Sequence, residues 1–138
     1  MPKINTIKIQ TEIIKALIKN EKVAYFEYED GVWVTLDGYC AYIIPKLEFY
    51  VDMKTRTPMT TLKQNRDNFC YAEKATPTGE MKQLEKFNVV KLKTADGKEH
   101  WLQEKYFKLC ESWSIYGNLF YGCSNGVPVI MCMRVNVK

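Results

Sequence analysis

Along this chain the spacing of apolar and polar positions changes period several times, and each change marks an element. In Thr11–Asn20, Ile13, Ile14, Leu17 and Ile18 follow the i, i+1, i+4, i+5 spacing of a helix packed on a sheet. Glu12, Lys15 and Lys19 fall on its other face. Thr11 suits the start, Glu12 complements the positive end of the helix dipole, and Asn20 suits a left-handed stop. Lys3–Ile9, Val23–Glu29, Val32–Leu36 and Tyr39–Ile44 read as strands around this helix. Asp30-Gly31 and Asp37-Gly38 supply the positive φ of tight hairpin turns, which makes Val32–Leu36 the central strand of a meander. Pro45 closes the third strand, because it has no N–H to give a ladder.

The same order recurs toward the end of the chain. A strand is expected at Asn88–Thr94, a helix near Gln103–Ser112, and strands at Ser114–Tyr116, Leu119–Ser124 and Val127–Val137. Leu102, Tyr106, Leu109, Cys110 and Trp113 would form the buried stripe of that helix, with Gln103, Glu104, Lys105, Lys108 and Glu111 outward. Asp96-Gly97 and Asn125-Gly126 repeat the turn chemistry, and Lys98–His100 reads as an extra short strand. The last strand alternates, with Val129, Met131, Met133, Val135 and Val137 on one face and Ile130, Cys132, Arg134 and Asn136 on the other.

Residues 46–86 fit neither half. Thr55-Arg56-Thr57-Pro58 and Ala75-Thr76-Pro77-Thr78-Gly79-Glu80 read as loop, with a short helix between Thr60 and Arg66. The expected architecture is therefore α+β: two strand–helix–three-strand units, a largely antiparallel sheet and two helices on one face. Residues 1–138 make a single domain, with a first unit at 3–45, an insertion or linker at 46–86 and a second unit at 87–138.

Composition narrows the class without naming it. A chain of 138 residues buries about two thirds of its unfolded surface and needs no disulfide or metal to fold. Its apolar fraction of 46% and charged fraction of 26% are ordinary for a globular protein. The longest apolar run, Val127–Met133, is far short of the roughly 18 residues of a membrane span. Met1-Pro2-Lys3 lacks the apolar stretch of a signal peptide, so no membrane partner and a cytoplasmic location are expected. The five cysteines (Cys40, Cys70, Cys110, Cys123, Cys132) are scattered without a Cys-x-x-Cys pair and read as buried free thiols, not a disulfide framework or zinc site. A net charge of +4, carried almost wholly by lysine, is compatible with attraction to a polyanion but is no footprint of one.

The chemistry-bearing residues do not assemble into a catalytic motif. His100 is the only histidine, so there is no zinc ligand set or relay partner for it. Cys110 belongs to the helix's buried stripe, and Glu27, Glu29 and Asp30 lie along one strand and its turn as a solvated face. Asp52 and Asp67 lack a magnesium or phosphate motif beside them, and no glycine-rich phosphate loop occurs. No catalytic residue, metal or cofactor is expected, which leaves binding.

Ala95-Asp96-Gly97, Trp101-Leu102-Gln103-Glu104-Lys105-Tyr106-Phe107 and Val129-Ile130-Met131-Cys132-Met133-Arg134-Val135 together resemble the last domain of bacterial DNA sliding clamps, the processivity factors of replication. Asp37-Gly38-Tyr39 is similar to a turn of clamp domains, with Leu36 where the family has threonine. Cys132 stands where the family has proline in its terminal strand, and the strand at Lys98–His100 is additional. A clamp subunit holds two or three such domains, so a ring of this chain would take several copies.

The resemblance implies a non-enzymatic, DNA-clamp-like accessory protein that associates with double-stranded DNA without sequence specificity, and its small size and atypical architecture are those expected of a phage or mobile element. Lys15, Lys19, Lys105 and Lys108 would contact phosphates, which gives salt-sensitive, sequence-independent binding. Met131, Met133, Arg134 and Val135 would wall a pocket for peptide motifs of replication or repair proteins, and copies would pair as a homo-oligomer. The alternative is a protein-interaction module that keeps the fold without touching DNA. Lys54, Arg56, Lys63 and Arg66 form a second candidate basic patch, and Tyr116, Phe120 and Tyr121 read either as core or as an exposed aromatic platform.

Overall fold

The computed structural model describes residues 4–19, 23–36, 39–53 and 58–137. The Asp37-Gly38 turn, the helix stop at Asn20, and Lys54 and Arg56 lie outside the described residues. Nine strands and three α-helices are present among those residues, an α+β fold in two compact units, Ile4–Asp67 and the part from Asn68 onward. That boundary falls inside the segment expected to be a linker.

The first unit opens with helix α1, Thr6–Ile18, and not with a strand at Lys3–Ile9. The extended Asn5 caps it: its side-chain oxygen accepts the Lys8 N–H at 3.0 Å and satisfies one of the free donors of the first turn. Thr11 is thus inside the helix, its hydroxyl bonded back to the Ile7 carbonyl, and Glu12 lies beyond the first turn. Starting the helix earlier brings Ile9 onto the buried line with Ile13 and Ala16, at i, i+4 and i+7. Ile14 and Ile18, expected in the buried stripe, are exposed instead.

Strands β1 (Ala24–Tyr28), β2 (Gly31–Thr35) and β3 (Cys40–Ile44) form the expected antiparallel meander, with β2 buried along its whole length. Gly31 lies at φ 151°, and a Cβ there would sit 2.8 Å from the Ile44 carbonyl oxygen, so the turn admits only glycine. Ile13 and Ala16 pack on Val32, Val34 and Ile44, with Val51 and Met53 completing the core. Helix α2, Thr60–Asp67, forms as expected and buries Leu62. Ahead of it, the Met59 N–H donates to the Tyr25 carbonyl at 2.8 Å and occupies part of the β1 edge.

The second unit has β4 (Glu73–Gln83), β5 (Asn88–Lys93), β6 (Glu99–Gln103), a single helical turn α3 (Glu104–Phe107), β7 (Ser112–Tyr116), β8 (Leu119–Ser124) and β9 (Val127–Met133). Its strand order is β9-β8-β7-β4-β5-β6, antiparallel throughout. The segment expected to be loop is its longest strand. The first residues of β4 pair with β7, the rest pair with β5, and the register shifts between Pro77 and Met81. Pro77 and Gly79 (φ 86°) fall at that irregularity, where a missing N–H and a positive φ break no regular ladder.

The expected helix at Gln103–Ser112 is replaced by strand, one turn and strand. Gln103 ends β6, which pairs with β5 from Val89↔Gln103 to Lys93↔Glu99, and Ser112 opens β7. The doubled strand–helix–three-strand pattern is therefore not what forms. The first unit runs helix, three strands and a second helix; the second runs three strands, one helical turn and three strands. Phe120 centres its core, edge-on to Trp113 at 6.1 Å, with Tyr121, Ile130, Leu102 and Val89 fully buried. Gly122 leaves room for it, since a Cβ there would lie 2.4 Å from Ile130 and 2.8 Å from the Trp113 ring.

Beyond Met133 the chain turns back onto the far edge of the same six strands. The Arg134 N–H donates to the Asn118 carbonyl and the Val135 N–H to the Trp101 carbonyl, both at 2.8 Å. Trp101 and Val135 thus form a bridge that returns the β9 end of the sheet to β6. Closing strands on themselves removes free edges without a covering helix.

Candidate binding surfaces

The four lysines expected on DNA have different surroundings. Lys15 on α1 and Lys19 at its C-terminus are exposed, one helical turn apart, and form no ion pair among the described residues. Lys105 lies over the neighbouring Tyr106 ring at 4.9 Å, and the Lys108 ammonium is 3.4 Å from Glu104. The two pairs belong to different units, and the second is already engaged locally.

Of the second basic patch, the described residues Lys63 and Arg66 are also engaged. Lys63 pairs with Asp67 at 2.9 Å, one turn along α2. The Arg66 Nε donates to Asp30 at 2.7 Å while its guanidinium lies over the Tyr28 ring, and Asp30 also accepts the Trp33 indole N–H. Tyr28 donates to Asp67, which holds that carboxyl below the usual carboxylate range and raises the phenol. These contacts fasten α2 to β1.

In the terminal strand, Met131 is 2% exposed and unavailable to a partner, because both faces of β9 are covered in its middle. Met133 and Arg134 are exposed and Val135 is half-buried. Tyr116 is exposed, whereas Phe120 and Tyr121 are core. Cys40, Cys123 and Cys132 are buried, Cys110 is half-buried and Cys70 is exposed; no disulfide links them among the described residues.

Two surfaces stand out that were not anticipated. On α1, Ile7 (69% exposed), Ile14 and Ile18 (80%) lie along one side at i, i+7 and i+11. Lys8, Lys15 and Lys19 each follow one residue later and flank that stripe. On the buried side, Gln10 is 1% exposed and spans two backbone groups, donating to the Glu48 carbonyl and accepting the Tyr50 N–H. A satisfied buried amide orients the helix specifically, which an apolar contact would do less well.

The other surface is in the second unit. A cleft of about 360 Å³ is lined by Tyr71, Glu73, Lys98, His100, Tyr116 and Arg134, among others, and His100 and Arg134 also line a neighbouring cleft of about 300 Å³. Tyr71 and Tyr116 stand at its side with ring centroids 5.9 Å apart. His100 lies edge-on to Phe120, and its Nδ1 is buried with no hydrogen-bond partner. Burial and then the charge of Arg134 hold its imidazole below the usual histidine pKa, against the opposite pull of Asp96. Asp96 is turned into its own hairpin, where the Thr94 hydroxyl and the Lys98 N–H donate to it and keep its carboxyl below the usual range. Nearby, Lys91 bonds Glu80 at 2.6 Å and Glu99 at 3.3 Å, which raises its ammonium pKa.

Among the described residues no group of three His, Cys, Asp or Glu side chains is placed to hold a metal ion, and no helix is long and apolar enough to cross a membrane. No protein-family model, curated protein or solved structure matches this chain. The arrangement offers two kinds of recognition: an apolar ridge edged by cations, and a polar cleft with an aromatic side.

Proposed function

We propose that this chain is a non-enzymatic binding protein that docks an acidic, amphipathic helical segment of a partner protein on the uncovered side of α1. The observation that carries this reading is the exposed stripe Ile7, Ile14 and Ile18 beside Lys8, Lys15 and Lys19. Duplex DNA would satisfy the lysines but leave the isoleucines wet. An isoleucine side chain fully removed from water contributes about 1.5–3 kcal/mol, whereas an exposed ion pair contributes about 0–1 kcal/mol, so the ridge decides the partner. An acidic flank on the partner then sets orientation and speeds encounter.

The clamp-like reading is the second one. It is favoured by Lys15 and Lys19, exposed and without ion pairs among the described residues. Under it the chain assembles into an oligomer and holds duplex DNA of any sequence.

Fluorescence anisotropy with two probes separates them: a synthetic amphipathic helix with a leucine stripe and a glutamate flank, and a short duplex. The docking reading expects the peptide to bind, Ile14→Asp with Ile18→Asp to abolish binding, and Lys15→Glu with Lys19→Glu to weaken it. Salt-sensitive duplex binding that the lysine changes remove and the isoleucine changes leave intact would replace docking with the clamp-like reading.

A further inference from the structure

We infer that the cleft beside His100 and Arg134 is a site for a phosphorylated nucleoside, with the base on the tyrosine side and the phosphate on Arg134 and Lys98. The inference is independent of the α1 surface, which belongs to the other unit.

The tyrosines carry the first part. Tyr71 is 68% and Tyr116 43% exposed, yet their rings sit together at an interplanar angle of 38° beside a cleft. Covering an exposed aromatic ring releases apolar surface from water, and every nucleobase offers a π face that stacks on such a ring. The cations carry the second part. Among the described residues Arg134 makes no ion pair, and the main-chain bonds of Arg134 to Asn118 and of Val135 to Trp101 fix the backbone that presents its guanidinium. Lys98 is held through its own N–H and carbonyl in the Thr94–Lys98 hairpin, and its exposed ammonium lies 3.9 Å from Asp96, a loose pair that a phosphate can share. A guanidinium on a fixed backbone with an ammonium beside it suits phosphate, which takes a bidentate fork and a point charge.

Two carboxylates line the same cleft and shape the ligand. Asp96 is bonded within its hairpin, so its charge is largely answered there. The Glu73 carboxylate makes no hydrogen bond or ion pair among the described residues, and would accept from an amino edge such as that of guanine or cytosine. A simple phosphate would gain from the cations and lose to Glu73; a base bearing donors turns that carboxylate into a contact. A cleft of about 360 Å³ is in the range of small-ligand sites.

The same chemistry occurs in a free nucleotide and in an unpaired nucleotide of single-stranded nucleic acid, and the experiment distinguishes them. The four nucleoside 5′-monophosphates, ribose 5-phosphate, a short single-stranded oligonucleotide and the matching duplex would be titrated into the full chain, followed by amide chemical shifts. The expected result is binding of monophosphates or single strand, stronger than ribose 5-phosphate or duplex, with shifts at Tyr71, Lys98, Tyr116 and Arg134. Monophosphates alone would point to a free nucleotide, and single strand alone to nucleic acid. Tyr71→Ala and Tyr116→Ala each weaken binding on the order of tenfold while Tyr71→Phe retains it, because the ring stacks and the hydroxyl does not. Arg134→Gln weakens binding and flattens its salt dependence, and Lys15→Gln changes nothing. Ribose 5-phosphate binding as tightly as the nucleotides, indifference to both tyrosine changes, or no binding of any probe would overturn the site.

Discussion

The two units meet the same need, burying the apolar faces of strands with little helix, in opposite ways. In Ile4–Asp67 a helix lies on a three-stranded meander, and only part of the apolar surface of that helix is covered. In the unit from Asn68 onward six strands return on themselves through Trp101 and Val135, and one helical turn suffices. The first solution leaves apolar surface over, as Ile7, Ile14 and Ile18. The second leaves polar groups at its joint, as His100, Lys98 and Arg134, which line a cleft there. The lesson is that where a unit's packing is incomplete determines the kind of ligand it can take.

The largest test of this contrast is truncation at the two kinds of apolar residue. Phe120→Ala removes the centre of the closed unit and should cost about 3–5 kcal/mol in denaturant melts. Ile18→Ala on the uncovered ridge should stay within about 0.5 kcal/mol. Equal losses would mean that the ridge is packed after all.

Next in size is the fastening of α2. Asp30→Ala strands the buried Trp33 indole N–H and takes from the part-buried Arg66 the carboxylate its Nε donates to, and should cost about 2 kcal/mol. Asp30→Asn, which keeps an acceptor, should recover part of that loss by the same melts. The start of α1 comes third: Asn5→Ala should cost about 1 kcal/mol, and Asn5→Ser should restore most of it. Were the chain before Thr11 a strand, neither change would matter.

The smallest effect belongs to the joint. His100 has a lowered pKa in the folded chain, so between that value and the usual histidine value near 6.5 the unfolded chain binds more protons. Stability should therefore rise with pH through that window, with the full contribution present above about pH 6.5 and lost as pH falls below it. His100→Gln should flatten the profile between those limits. An unchanged slope would show that the imidazole is not buried as described.

Much of the fold was legible because its signals are local. Asp30-Gly31, Asp96-Gly97 and Asn125-Gly126 mark turns through backbone geometry that a few residues impose, and Asn125 and Gly126 do take positive φ. The helix at Thr60 and the strands on either side of these turns were readable for the same reason. By contrast, β4 was hidden because most of its residues are exposed, which removes the alternation that announces a strand. The stripe from Leu102 to Trp113 has helical spacing, yet pairing with β5 holds Leu102 and Gln103 extended, and pairing with β8 holds Ser112 and Trp113. At α1, Asn5 was a cap in plain sight, but isoleucines at 4, 7 and 9 read equally well as a strand.

The candidate surfaces divide along the same line. That Lys15 and Lys19 face solvent was decided by the chain itself, since a charged side chain loses hydration unless it stays wet. Which isoleucines of α1 would be covered was not, because burial depends on what arrives from β2, β3 and the segment at Val51–Met53. Still less could the sequence bring Tyr71, Lys98, Tyr116 and Arg134 to one cleft, as these come from four separate stretches of chain. Turns, caps and solvated charges follow from forces that act within a few residues. Faces, joints and clefts follow from burial, which is shared among distant residues and is settled only when they pack.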